Sequence, residues 1–132
     1  MILREILHAH IPYLTPESTV RDAVDKMDVY QFPALVIVDK LMAPLAVITE
    51  GDICRAAREH DGVIQLSSKP ALDFATRDPK VARPDTEVSD ALQTMQMSGL
   101  TLLPVVEEER LRGVVLRVDL MHAMLLDTAP TE

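Results

Sequence analysis

Thr49-Glu50-Gly51-Asp52 is the stretch of this chain whose residue types and spacing best suit chemistry with a ligand. A hydroxyl stands three residues ahead of a carboxylate, where a strand pattern hands over to a helix pattern. Two readings fit. In one the pair is a capping box: Thr49 accepts from the first turn, and Asp52, in place of the usual Glu or Gln, returns a bond to the Thr49 N–H. In the other, the free N–H groups of the helix N-terminus receive a phosphate. The carboxylate can then accept hydrogen bonds from hydroxyls of the same ligand. Arg55 and His122 follow Asp52 and Asp119 by three positions, within reach of an anionic ligand.

Other chemistry is poorly supplied. His8, His10, His60 and His122 lack the spacing that puts metal ligands on one helix face, so no metal site is read. Cys54 has no catalytic partner in the pattern and is expected to be buried. Ser67-Ser68 lacks the Gly-x-Ser-x-Gly elbow. Four glycines in the whole chain build neither a P-loop nor a dinucleotide turn. The chain reads as no enzyme.

Composition narrows the rest. The chain has 132 residues, 48% hydrophobic and 26% charged, which is ordinary for a globular domain. A net charge of −8 argues against nucleic acid and anionic membranes as partners. A single cysteine excludes an internal disulfide. Met1-Ile2-Leu3-Arg4-Glu5 is charged where a signal peptide is apolar, and no run reaches the roughly 18 apolar residues of a membrane span. A cytoplasmic location is expected.

The elements that must position Thr49 and Asp52 occur twice. Shifted by 68 positions, Pro16, Val20, Asp22, Ala23, Met27, Leu35 and Val38 fall on Pro84, Val88, Asp90, Ala91, Met95, Leu103 and Val106. Past the next turn the shift becomes 67, and Val47, Asp52 and Ala56 fall on Val114, Asp119 and Ala123. A one-residue deletion in a turn accounts for the change. Each copy opens with an extended piece, Pro12–Leu14 or Lys80–Ala82. A helix follows with apolar residues at i, i+3, i+4 and i+7: Val20, Ala23, Val24, Met27, and Val88, Ala91, Leu92, Met95. Ser18 and Thr86 are its expected N-caps. The strands Ala34–Val38 and Leu102–Val106 read as buried on both faces. Second strands (Leu45–Ile48, Gly113–Leu116) and second helices (Asp52–Glu59, Asp119–Leu126) complete a β-α-β-β-α order. Domain limits follow: repeat 1 over residues 1–60, a linker over 61–71, repeat 2 over 72–127 and a frayed tail over 128–132. Asp73-Phe74-Ala75-Thr76 aligns with Glu5-Ile6-Leu7-His8.

This order resembles the CBS (cystathionine-β-synthase) domain. It carries Pro-x-(Ser/Thr)-x-Val before the first helix, Thr49-x-x-Asp52 before the second, and Pro104-Val105-Val106-Glu107 with Gly113-Val114-Val115 in copy two. A tandem pair is a Bateman module. The resemblance implies an α/β (α+β) fold of two repeats packed with pseudo-twofold symmetry. It also implies a regulatory module that binds an adenosine compound, AMP, ADP, ATP or S-adenosylmethionine, in the cleft between repeats. The site residues carried over are Thr49 for phosphate and Asp52 for ribose, with Arg55 near the ligand and Tyr13, Leu14, Ala34 and Leu35 around adenine. In copy two they are Asp119 with Val81, Ala82, Leu102 and Leu103. Leu116 replaces the family's Ser or Thr there, which removes a phosphate contact and favours copy one.

Binding would bias the conformation of the module for an unidentified regulated protein to read. A homodimer is also implied, through second-helix stripes Ile53, Ala56, Ala57 and Leu120, Ala123, Met124. The alternative is an interaction or dimerisation module of the same fold with no nucleotide.

Overall fold

A proline turn launches each half of the fold. Ser18 N–H donates to the Thr15 carbonyl at 3.0 Å, and the Ser18 hydroxyl accepts from Thr15 N–H at 3.0 Å. In the second copy Thr86 N–H donates to the Arg83 carbonyl at 3.0 Å, and its hydroxyl accepts from Arg83 N–H at 3.3 Å. Pro16 and Pro84 sit at the second turn position, which suits their fixed φ. Ser18 and Thr86 are therefore turn locks and not the expected helix caps. Thr19 caps the first helix, accepting from Asp22 N–H at 3.1 Å while Asp22 returns a bond to Thr19 N–H at 2.9 Å. The corresponding helix starts after Glu87 with no side-chain cap.

The computed structural model describes residues 1–127, so the expected tail over 128–132 lies outside the described residues. In chain order the elements are α1 (Val20–Tyr30), β1 (Ala34–Val38), β2 (Pro44–Thr49), α2 (Glu50–Glu59), α3 (Val63–Leu66), β3 (Thr76–Arg77), α4 (Val88–Ser98), β4 (Leu102–Glu107), β5 (Arg110–Leu116) and α5 (Arg117–Asp127). Short 3-10 turns lie at Leu3–Glu5 and Ala71–Phe74. The chain forms two compact units that do not follow the order of the sequence. One is Ile11–Pro79; the other joins Met1–His10 to Lys80–Glu132.

In the Ile11–Pro79 unit, β1, β2 and β3 form an antiparallel sheet in that order. Every residue of β1 is buried, as its run of Leu, Val and Ile requires. The extended piece before α1 shrinks to a single parallel bridge, Leu14 with Ile37. In the second unit β4 and β5 pair antiparallel. Ala82 makes the matching parallel bridge to Val105, and His8 bridges Val114 antiparallel. Both hairpins shift register at the same point, Ile37/Val38 and Val105/Val106. The length change detected in the sequence lies in the turn that follows. Asp39 Oδ1 holds the wider one by accepting from Leu41 and Ala43 N–H. Glu108 and Glu109, both at positive φ, make the tighter one.

The segment before each repeat completes the other repeat's unit. Lys69 and Met1 accept from Val20 and Val88 N–H, both at 2.9 Å, and Ala71 and Leu3 donate to Ser18 and Thr86 at 2.9 and 3.0 Å. Thr76 pairs with Val47 as His8 pairs with Val114. The aligned segments thus play one role, and part of the expected linker is the helix α3.

Each unit has its own core. Leu14, Val20, Met27, Leu35, Ile37, Ile48, Ile53 and Ala56 belong to the first. Leu3, Val88, Met95, Leu103, Val105, Val115, Leu120 and Ala123 belong to the second. Val24 departs from the expected stripe and is exposed. The expected dimer stripes are also corrected, since Ile53, Ala56, Leu120 and Ala123 face their own cores. A unit of this size needs these residues for its own core.

Candidate functional site

Of the residues expected to bind a ligand, Thr49, Asp52 and Arg55 gather at the start of α2. Strand register sets Thr49 opposite Ala34, and Glu50 N–H donates to the Pro33 carbonyl at 3.0 Å, which fixes where the helix begins. Thr49 Oγ1 accepts from Asp52 N–H at 3.0 Å and Asp52 Oδ2 accepts from Thr49 N–H at 2.9 Å. The capping box exists. Asp52 Oδ1 accepts from the Arg55 guanidinium one turn on. At 8% exposure, Asp52 is the buried charged residue among those described, whereas the Arg55 side chain is 62% exposed. A buried carboxylate thus meets a cation that long rotatable bonds can carry away, while helical N–H groups lie beside it. The Gly51 backbone adds room: a Cβ there would meet Arg55 Nη1 at 3.5 Å and Thr49 Oγ1 at 3.6 Å.

Asp119 has a different neighbourhood at the start of α5. Leu116 supplies no hydroxyl, so only half of the box forms, with Asp119 Oδ2 accepting from Leu116 N–H at 2.9 Å. The same oxygen lies 2.8 Å from His8 Nε2. His122, at the place that Arg55 takes in α2, is exposed. His8 is the residue that sequence reasoning assigned no role. The signal was present in its alignment with Thr76, which pairs with β2 at the corresponding place.

The expected adenine walls are mostly core. Leu14, Ala34, Leu35, Leu102 and Leu103 are buried, so β1 and β4 would offer a ligand chiefly backbone; Tyr13 and Val81 are exposed. Leu14 bridges the far part of β1, three residues from Ala34 and on the order of 10 Å along the strand. In the second unit Val81, Ala82 and Leu103 line a cavity of about 500 Å³ with Arg83, Thr86 and Thr94. Thr94 corresponds to Lys26, whose Nζ donates to the Tyr13 carbonyl at 3.0 Å. A cavity of about 570 Å³ between α1 and α2 is lined by Met27, Phe32, Ile53 and Cys54 with Asp28 and Glu50 at its rim. None of the expected site residues lines it. Cys54 itself is exposed, contrary to the expected burial, because it lies one position off the buried Ile53.

Electrostatic perturbation is modest. The Thr19 N–H holds the Asp22 carboxyl below its usual range. Arg4 does the same for Glu107, which accepts from its guanidinium at 2.9 Å. Among the described residues no group of three or more His, Cys, Asp or Glu is placed to hold a metal, and no helix is long and apolar enough to cross a membrane.

With this geometry in view, the comparisons with known proteins bear directly on the repeat. The CBS domain family model matches residues 3–59 and again 71–126. The chain belongs to the CBS domain family. A 17.7 kDa uncharacterised protein of Acidianus ambivalens is 31% identical over 122 residues, covering 92% of this chain and 71% of that one. An inosine-5'-monophosphate dehydrogenase of Methanocaldococcus jannaschii is 27% identical over 118 residues, covering 89% of this chain but 22% of the enzyme. The chain spans less than half the length of the further curated relatives it matches. Among solved structures, CBSX2 in complex with AMP superposes with a TM-score of 0.83 at 21% identity, covering 97% of this chain and 98% of that one. The mixed α/β fold of two CBS repeats is thus shared, and a CBS pair is a regulatory module.

Proposed function

We propose that this CBS pair is a regulatory sensor that binds an adenosine-containing ligand, from among AMP, ADP, ATP and S-adenosylmethionine. Its conformational response is read by a separate regulated protein in the cytoplasm. The Asp52 carboxylate carries this reading. It is buried at a helix N-terminus, and one of its oxygens is held by a guanidinium that solvent can draw away. With Arg55 turned outward, the two oxygens suit a ribose diol, and the same guanidinium becomes available to a phosphate. Thr49 keeps its hydroxyl hydrogen for a ligand while its oxygen caps α2. The AMP complex of CBSX2 supports the choice of ligand class.

Isothermal titration calorimetry of AMP, ADP, ATP and S-adenosylmethionine against the wild type and Asp52→Asn tests it. Heat with at least one compound is expected, weakened about 10-fold or more by the substitution, as for loss of a hydrogen bond to a charged group. No heat with any of the four, with an unchanged melting temperature, overturns the sensor reading.

The outer face of α5 favours a second reading, an interaction or dimerisation module without nucleotide. Val118, Met121 and Leu125 lie at i, i+3 and i+7 and are all exposed. A homodimer belongs to either reading, and sedimentation velocity of the wild type against Met121→Glu measures it.

A further inference from the structure

We propose that His8 is a specificity residue that withholds Asp119 from the ligand, so that each chain takes one adenosine compound and not two. The proposal rests on the reading that Asp52 and Asp119 are the ribose-binding carboxylates, and it adds why they differ. A ribose diol donates to both oxygens of a carboxylate. Asp119 Oδ2 already accepts from Leu116 N–H at 2.9 Å and lies 2.8 Å from His8 Nε2, which fills both of its lone-pair directions. Asp52 Oδ2 accepts only the Thr49 N–H, and Oδ1 is released when Arg55 turns away.

His8 has less freedom, because its backbone is paired and its side chain is short. Its N–H donates to the Val114 carbonyl at 2.9 Å, and its own carbonyl accepts from Val114 N–H at 3.1 Å. The backbone lies so close to β5 that a Cβ on Gly113 would stand 2.4 Å from the His8 carbonyl oxygen. The imidazole is thus mounted on a strand pairing two bonds above Asp119, whereas the guanidinium over Asp52 hangs from a mobile stem. Leu3, fully buried a few residues earlier, anchors the same segment. The carboxylate in α2 is covered by a long stem that can swing into solvent; the one in α5 is covered by a short side chain with two rotatable bonds, set on a backbone that is itself paired.

Titration calorimetry with AMP reads the difference as stoichiometry, with S-adenosylmethionine as the second probe. The wild type is expected to take one ligand per chain. His8→Ala, which keeps the backbone pairing, is expected to gain a second site, tightened about 10- to 100-fold into the measurable range by release of one charge-assisted acceptor. His8→Leu keeps side-chain bulk without a donor and should behave alike. Adding Asp119→Asn to His8→Ala should return the count to one. Two sites in the wild type, or one site in both His8 variants with the melting transition retained, overturns the inference and leaves the sensor reading standing. No binding by the wild type or any variant overturns the sensor reading, and this inference with it.

Discussion

Asp52 and Asp119 occupy the same position in two copies of one pattern, yet their partners come from opposite directions in the chain. Asp52 is closed over by its own helix through Thr49 and Arg55. Asp119 is held by a strand end and by a residue 111 positions earlier. The first arrangement is local and needs only a good capping sequence. The second depends on a distant segment being laid against β5. Equivalent carboxylates thus end up as different devices, one covered by its own helix and one by a distant segment.

The contrast can be broken most heavily at the anchor of that segment. Leu3→Ala removes a fully buried side chain from the second core and should destabilise that unit by about 3 kcal/mol, read as a lowered urea midpoint. Its counterpart in the other unit is Ala71, which has nothing comparable to lose. Gly113→Ala should cost about 2 kcal/mol, because the new methyl meets the His8 backbone and not a yielding side chain. The corresponding Ala46→Gly should cost about 1 kcal/mol or less, and hydrogen exchange at the His8 and Val114 amides should rise in the first variant only.

Smaller effects sharpen the comparison at the helix starts. Leu116→Thr would complete the half box of α5 and stabilise it by about 1 kcal/mol, whereas Thr49→Leu would remove the same amount from α2; thermal melting separates the two signs. The smallest effect concerns Asp22. Its carboxyl is depressed by the Thr19 N–H, so its contribution is present above the unfolded value near pH 4 and fades as pH falls through the lower folded value. The stability advantage of wild type over Asp22→Asn, at most about 1 kcal/mol at neutral pH, should shrink by pH 3.

Much of this was legible where neighbours in sequence decide the structure. Ala34–Val38 is a strand of the expected bounds because a continuous Leu, Val and Ile run has no polar face to show to water. The capping box at Thr49 and Asp52 follows from a three-residue spacing. The errors have physical causes too. Ser18 and Thr86 lost the cap to a proline turn one residue earlier, and Thr19 stood where the backbone left the extended region. Cys54 and the second-helix stripes were misjudged because periodicity marks which face is apolar but not which neighbour claims it. His8 could not be assigned to Asp119 by any local rule.

The exchanged segments also impose an order on how the chain is built. During synthesis Met1–His10 emerges long before Thr86, Val114 and Asp119, which hold it. The Ile11–Pro79 unit is continuous and can close while the rest is still being made. The first ten residues must then wait, with Leu3 uncovered, for the closing β5–α5 stretch. Such long loops slow the final step and leave a sticky end exposed before it, so the last unit to mature is the one that begins and ends the described chain.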